Sequence, residues 1–174
     1  PVSMLPPQEM VDRAVRVGAS SPCAKSKRGV VVWSGRLVYT QAFNAPAMGG
    51  CDGSAACRRD CGKICIHAEQ AALIKALPSL MDFDVHMLHI KVVDGQPVAG
   101  GPPSCAECSK LILACGIDFM WLLEEAASRF GADGRMSNDA DEIEWFVRSA
   151  FYATRPALWG FSEKSIDHRF NYTL

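Results

Sequence analysis

Two short segments of the sequence bring together residue types that bind metal ions. "CIHAEQAALIKAL" (65–77) places His67 and Glu69 at the start of an apolar helical pattern. About 35 residues further on, "PPSCAEC" (102–108) places Cys105 and Cys108 one helical turn apart, on one face of a second predicted helix. One imidazole and two thiolates are three zinc ligands, and catalytic zinc sites keep the fourth position open. Glu69 can border that open position and move protons there, so we predict a catalytic zinc site.

Each motif has weaker interpretations when it is taken alone. H-x-E occurs often by chance, and C-x-x-C is also typical of redox pairs, but a redox site gives His67 and Glu69 no task. A zinc ion that only stabilises a binding protein is another interpretation. Glu69 separates the two kinds of zinc site, because a purely structural site has no use for an acid beside an open position.

Four more cysteines form a second group. Three lie in a stretch (44–64) without periodicity that we predict to be a loop, and the fourth is the first residue of the segment 65–77. An accidental cluster and a disulfide pair are two interpretations, and a second, structural zinc that fixes the loop is the one we favour. Not all four need to be ligands. These residues are Cys51, Cys57, Cys61 and Cys65. Cys23 and Cys115 stand apart and are predicted to be small buried apolar side chains.

The elements that would position the motifs follow from hydrophobic periodicity and turn residues. In order, the patterns predict a helix within 6–21, strands at 28–33 and 36–43 joined by Ser34-Gly35, the loop over 44–64, a helix over 68–77, a strand over 85–93, a turn-rich connection over 94–104, a helix over 105–116, a strand over 117–124 and a helix over 137–153 capped by Ser137 or Asn138. The strand–helix–strand unit near the second motif favours a parallel pair. We therefore predict an α/β fold with a mixed sheet and helices on both faces.

Other residues in these elements are assigned structural roles. His86 and His89 lie on opposite faces of the third predicted strand, because strand side chains alternate. The four tryptophans are predicted to lie in the core or at an interface; they are Trp33, Trp121, Trp145 and Trp159.

Composition limits the classes of function. The chain has 174 residues, 49% hydrophobic and 21% charged, with a formal net charge of −1. This balance is typical of a soluble globular domain, and it offers no basic patch for nucleic acid and no apolar run for a membrane span. The start "PVSMLPPQEM" lacks the pattern of a secretory signal, so we expect a cytoplasmic protein. We predict one domain, with a motif-bearing core over about 10–123 and a helical C-terminal extension over about 125–174.

Together the motifs resemble the cytidine and deoxycytidylate deaminase superfamily, whose signature is H-x-E followed by P-C-x-x-C. In this chain Ser104 directly precedes Cys105, and proline lies one position earlier. The resemblance covers about residues 10–123. "RGVVVWSGRLVYTQAFNAPAMGG…CIHAEQAAL" is similar to the opening half of deoxycytidylate deaminases, whereas the long gap before C-x-x-C is more similar to free-nucleoside cytidine deaminases.

The resemblance implies a three-layer α-β-α fold and a role for several residues. Glu69 would be the proton shuttle and not a ligand, and Asn44 would contact the sugar hydroxyl. The N–H of Ala68 would hold the pyrimidine carbonyl, and the carbonyl of Ser104 would accept from the exocyclic amine. Some deoxycytidylate deaminases are also similar in carrying a structural zinc near the second cysteine group.

We therefore predict a zinc-dependent hydrolytic deaminase of a cytosine nucleotide or nucleoside, with deoxycytidylate as the first candidate. The alternatives are a guanine-type purine deaminase and a non-catalytic zinc-stabilised binding protein. We expect a homo-oligomer with a small-molecule substrate. A substrate phosphate would be bound by some of the basic residues near the motifs, which are Lys25, Lys27, Arg28, Arg58, Arg59 and Lys63.

Overall fold

The computed structural model describes residues 6–76, 84–100, 105–125 and 143–149. The helices are α1 (Gln8–Ala19), α2 (Ala55–Ile64), α3 (Ala68–Ala76) and α4 (Ala106–Ala114). The strands are β1 (Lys27–Ser34), β2 (Leu37–Phe43), β3 (Ala45–Pro46), β4 (Cys65–Ile66), β5 (His86–Val93), β6 (Gln96–Val98), β7 (Phe119–Glu125) and β8 (Ile143–Ser149).

The main sheet is mixed, as the sequence predicts. Its order is β2-β1-β5-β7-β8, with β6 paired to β5. β5 and β7 are parallel, whereas β1 is antiparallel to both β2 and β5. The predicted hairpin between β1 and β2 is present, and its two turn residues are Gly35 and Arg36, one position later than predicted. Gly35 has φ +54°, a left-handed backbone conformation that glycine adopts without a steric penalty.

Both faces of the sheet are covered, which accounts for the unbroken apolar run "VVVW" in β1. Val30 and Val32 pack with α3 and α4 on one face, and Val31 and Trp33 pack with α1 on the other. α1 approaches β1 so closely at Gly29 that a Cβ on this residue would lie 2.1 Å from the carbonyl oxygen of Ala14. Glycine is therefore required at this position. The three-layer α-β-α prediction is confirmed.

Three local predictions are wrong. The predicted helix over 137–153 contains β8 in its described part, antiparallel to β7, so the predicted helical extension is a strand there. The predicted loop over 44–64 contains α2, whose first turn is capped by the Ser54 hydroxyl, which accepts from the Cys57 N–H at 3.0 Å. The connection after β5 contains β6, joined by Asp94-Gly95, both with positive φ.

α3 and α4 pack side by side on one face of the sheet, and each begins at one of the two motifs. A two-stranded ladder of β3 and β4 ties the chain after β2 to the residues that lead into α3. No helix among the described residues combines the length and the apolar character that spanning a membrane requires.

Candidate metal centre

The first motif is fixed by the start of α3. His67 directly precedes the helix, and its carbonyl accepts the N–H of Ala71 at 3.0 Å. The N–H of His67 donates to the side-chain oxygen of Gln70 at 3.0 Å, which is one half of a capping box. These two contacts set the backbone of His67 and thereby direct its imidazole.

The second motif is fixed in a similar way by the start of α4. Cys105 directly precedes the helix, and its sulfur accepts the N–H of Cys108 at 3.5 Å. Sulfur thus takes the place of the oxygen that usually caps a helix. The positive end of the helix dipole also favours a thiolate at this position.

The two helix starts bring three ligand atoms together. His67 Nδ1 lies 3.4 Å from Cys105 Sγ and 3.3 Å from Cys108 Sγ, and the three atoms lie within 4.8 Å of one another. Zinc bond lengths to nitrogen and sulfur imply an N···S edge of about 3.6 Å in a tetrahedral site. The observed separations are close to this value, so the predicted ligand set fits a zinc ion. It is the one such group of three or more among the residues that the structure describes.

Contacts among the three residues shift all three of their pKa values. Hydrogen bonds from the Cys108 thiol and from His67 lower the pKa of Cys105 to about 4. The contact with the Cys105 sulfur raises the pKa of Cys108, and burial raises it further. The Cys105 sulfur also raises the pKa of His67. These shifts favour a thiolate at Cys105 and a thiol at Cys108 before any metal is added, and thiolates are the form that binds zinc.

Glu69 follows in the first turn of α3 and is only 4% exposed. Its Oε1 lies 3.4 Å from Nδ1 of His89 in β5. Its charge raises the pKa of His67 and opposes the burial that lowers the pKa of Arg28. The buried Glu69 carboxylate thus acts electrostatically on two of the three ligand residues, His67 and Cys108.

These residues line an open cavity of about 330 Å³. Small-molecule sites commonly have volumes of about 300–1,000 Å³. Its wall contains the predicted residues His67, Ala68, Glu69, Cys105 and Asn44, together with Cys23, Lys25, Ser26, Arg28, Cys61, Gly62, Cys65, His89 and Gly100. Cys108 lies behind this wall and is fully buried.

Asn44 lies in the wall and is held by several hydrogen bonds. Its Oδ1 accepts the backbone N–H of Arg28 at 2.8 Å, and its Nδ2 donates to the carbonyl of Ser26 at 2.8 Å. Its own carbonyl accepts from the Ser21 hydroxyl at 2.6 Å. The amide is therefore fixed in place, and the hydrogen bonds found among the described residues use one of its two Nδ2 hydrogens. Ser104, the remaining predicted contact, lies outside the described residues.

Only two of the six basic residues predicted to bind a phosphate line the cavity, namely Lys25 and Arg28. The Arg28 guanidinium donates to the Ser26 hydroxyl at 2.9 Å and to the Gly100 carbonyl at 3.0 Å. The Lys27 ammonium instead donates to the Ala19 carbonyl, and Arg59 pairs with Asp60. The other two, Arg58 and Lys63, are exposed residues of α2 and do not line the cavity.

The second cysteine group is arranged as pairs. The sulfurs of Cys51 and Cys57 are 3.4 Å apart, and those of Cys61 and Cys65 are 3.5 Å apart. No three of the four come within 4.8 Å of one another, and all eight cysteines of the chain are free thiols.

Cys23 lies 3.9 Å from Cys61, sulfur to sulfur, so the prediction that it stands apart from the cluster is wrong. Its predicted burial is confirmed, at 2% exposed.

Sequence reasoning missed several residues of the cavity wall. His89 was predicted to be structural, but strand alternation places it on the face of Met87, which packs against α3 and α4. His86 lies on the other face, stacked on Trp33 and Phe119. The alternation of side chains predicted for this strand already places His86 and His89 on opposite faces. Trp33 and Trp121 are buried as predicted, at 2% each, and the other two tryptophans have no described side chain.

Comparisons with known proteins give likenesses among solved structures. No protein-family model matches the chain, and no curated protein matches it in sequence. The chain is similar to dCMP deaminase from the cyanophage S-TIM5 in apo form, with 21% identity, TM-score 0.46, and coverage of 64% of this chain and 76% of that one. The same enzyme in complex with dCMP and dUMP shows 23% identity and TM-score 0.46, with 66% and 79% covered.

A third similar structure is cytidine deaminase from Burkholderia pseudomallei. Its identity is 14% and its TM-score 0.48, and 84% of this chain and 94% of that chain are covered.

Proposed function

We propose that this chain is a zinc-dependent hydrolytic deaminase of a cytosine nucleotide or nucleoside, with deoxycytidylate as the first candidate. The observation that carries the proposal is the placement of Glu69. Glu69 is buried in the wall of an open cavity that His67 and Cys105 also line, and the described residues offer three ligand atoms for a zinc ion and no fourth. A site that only stabilises the fold would be closed by a fourth protein ligand.

In this proposal His67, Cys105 and Cys108 hold the zinc. A bound zinc ion would supply Lewis acidity that makes water a stronger acid near neutral pH. The Glu69 carboxylate accepts one proton from the attacking water and delivers it to the ring nitrogen. It then takes the second proton from the added hydroxyl and delivers it to the departing amine. Water is consumed, the C–N bond to the amine breaks, and the products are a ring carbonyl and ammonia.

Backbone and side-chain groups around the cavity would orient the pyrimidine. The N–H of Ala68 is the first of α3 and has no acceptor within its own helix, so it can donate to the ring carbonyl. The remaining Nδ2 hydrogen of Asn44 can donate to a sugar hydroxyl. The carbonyl of Ser104 would complete the set by accepting from the exocyclic amine.

The phosphate of a nucleotide would be bound by Lys25 and Arg28. Both line the cavity, and Arg28 is partly buried, which lowers its pKa. A charge-assisted contact in such surroundings contributes about 1.5–3 kcal/mol. This pair supports a nucleotide over a free nucleoside.

Two further features belong to this proposal, a second zinc site and the assembly of the protein. We assign the Cys51, Cys57, Cys61 and Cys65 group to a second, structural zinc, supported by sulfur separations of 3.4 and 3.5 Å within its pairs. Tetrahedral zinc thiolates have sulfur edges of about 3.8 Å. We also propose a homo-oligomer that acts in the cytoplasm.

The alternatives are a purine-base deaminase of the guanine type and a non-catalytic zinc-stabilised binding protein. The test is ammonia release by zinc-loaded protein from dCMP, deoxycytidine, cytosine, guanine and adenine. We expect dCMP to give the highest kcat/KM. Faster release from guanine would favour the first alternative, and no release from any compound would favour the second.

A further inference from the structure

Two histidines of β5 differ in what surrounds them. His86 stacks between Trp33 and Phe119, with ring centroids 5.1 and 4.6 Å away. Its Nδ1 accepts the indole N–H of Trp121 at 3.1 Å, so aromatic packing and a hydrogen bond account for this residue. His89, three positions later on the opposite face, has no stacked aromatic ring among the described residues.

His89 instead lies against the carboxylate of the candidate active site. Its Nδ1 is 3.4 Å from Oε1 of Glu69, and the two side chains are only 10% and 5% exposed. Burial lowers the pKa of His89, so the imidazole is neutral near pH 7 and carries one N–H. Because the carboxylate is an acceptor, the contact favours the tautomer with its hydrogen on Nδ1, which can donate to Glu69.

The other ring nitrogen shows that packing alone does not account for a histidine here. Nε2 is buried and has no hydrogen-bond partner within the described part of the chain. A buried acceptor without a partner destabilises a fold, and an apolar side chain of similar size would avoid that cost. The contact on Nδ1 is what the imidazole provides.

We infer that His89 is a positioning residue that holds the Glu69 carboxylate in the orientation required for proton transfer. β5 is a central strand of the sheet and Glu69 is in the first turn of α3, so the contact joins a rigid support to the catalytic group. A long, flexible side chain such as glutamate loses the geometry for proton transfer when such a contact is removed. The inference rests on the proposed function for the role of Glu69, but the contact itself can be tested without it.

The first test is a double-mutant cycle on thermal stability with the full-length, zinc-loaded protein. The variants are His89→Leu, Glu69→Ala and the double variant. We expect the Tm of the double variant to fall by at least about 2 °C less than the sum of the two single losses, because both single variants remove one shared contact. His86→Leu is the matched control, and its effect should add to that of Glu69→Ala. Additive effects for the His89 pair would overturn the inference whether or not the chain is an enzyme.

The second test separates positioning from packing by kinetics. His89→Leu should lower kcat about ten- to a hundredfold and change KM less than about threefold. His89→Asn places an amide near the position of Nδ1, so it should retain kcat within about threefold of wild type. His86→Leu should lower Tm and leave kcat unchanged.

The outcomes distinguish this inference from the proposed function. Coupled stabilities without ammonia release from any compound would support the His89–Glu69 contact and reject the deaminase. A normal kcat in His89→Leu, or equal losses in His89→Leu and His89→Asn, would overturn the positioning role in an active enzyme.

Discussion

The two cysteine-containing groups of this molecule share a ligand type but differ in how the fold supports them. Cys105 and Cys108 lie at the start of α4, which packs against α3 and the central sheet. Their sulfurs and His67 Nδ1 lie within 4.8 Å of one another. Cys57 and Cys61 lie on α2, a helix with no buried residue. Their sulfurs form separate close pairs with those of Cys51 and Cys65.

This difference in structural support determines whether the ligands of a metal site are in place before the ion binds. A site on helix starts that are anchored to a buried sheet has its ligands in place before the ion binds. A site on an exposed helix and its flanking chain gathers its ligands when the ion binds, so the ion contributes to folding. We therefore expect the first group to determine activity and the second to determine stability.

The largest expected effect comes from exchanging one ligand in each group. Cys105→Ser should lose the catalytic zinc and lower kcat/KM by about 10³-fold or more, because the Lewis acid supplies several kcal/mol. Cys57→Ser should keep kcat/KM within about threefold of wild type. Cys115→Ser is the control for a partly buried thiol outside both groups, and steady-state ammonia release measures all three. Equal losses in Cys105→Ser and Cys57→Ser would remove the distinction.

An intermediate effect is expected from the two basic residues that line the cavity, Lys25 and Arg28. Removing the phosphate from the substrate should lower kcat/KM about ten- to a hundredfold. Arg28→Ala should bring the nucleotide down to the level of the nucleoside and leave the nucleoside almost unaffected, and Lys25→Ala should act in the same direction.

The control for this comparison is Arg59→Ala, because Arg59 is exposed and pairs with Asp60 outside the cavity. It should change neither substrate. A wild-type enzyme that prefers the nucleoside would show that no phosphate site exists and would favour a free nucleoside or base as substrate.

The smallest expected effect concerns the second zinc. Metal analysis of reduced wild-type protein should give about two zinc ions per chain, and Cys57→Ser and Cys105→Ser should each lose about one. Cys57→Ser should also lower Tm by several degrees, since the ion stabilises α2 and its flanking chain. One zinc in wild-type protein, with Cys51 to Cys65 oxidised to disulfides, would contradict the structural site.

Much of the site could be predicted from the sequence because its residues are local to helix starts. His67, Glu69, Cys105 and Cys108 are close in sequence within each motif, and helix geometry fixes their relative positions. What joins the two motifs is the packing of α3 and α4 on one sheet face, which the alternating elements also predict. Strand alternation gives the face on which His89 lies but not the partner above that face, so the sequence did not predict its contact with Glu69.

The errors in the fold have physical causes as well. The segment over 143–149 is rich in Ile, Trp, Phe and Val, which favour strands, but acidic residues before it suggest the first turn of a helix. Pairing with the edge of β7 decides between the two, and pairing is not a local property. α2 is short and polar with Gly62 near its end, so periodicity is weak, and the Ser54 cap was the available signal.

The most direct test of the central claim compares two glutamates that each lie in the first turn of a motif helix. Glu69 is buried in the cavity wall, whereas Glu107 is exposed and pairs with Lys110 at 2.8 Å. Glu69→Gln should keep its zinc and its Tm and lower kcat by about 10²–10⁴-fold, because proton transfer fails. Glu107→Gln should keep near-normal kcat. Near-normal turnover in metal-loaded Glu69→Gln would contradict the proposed mechanism.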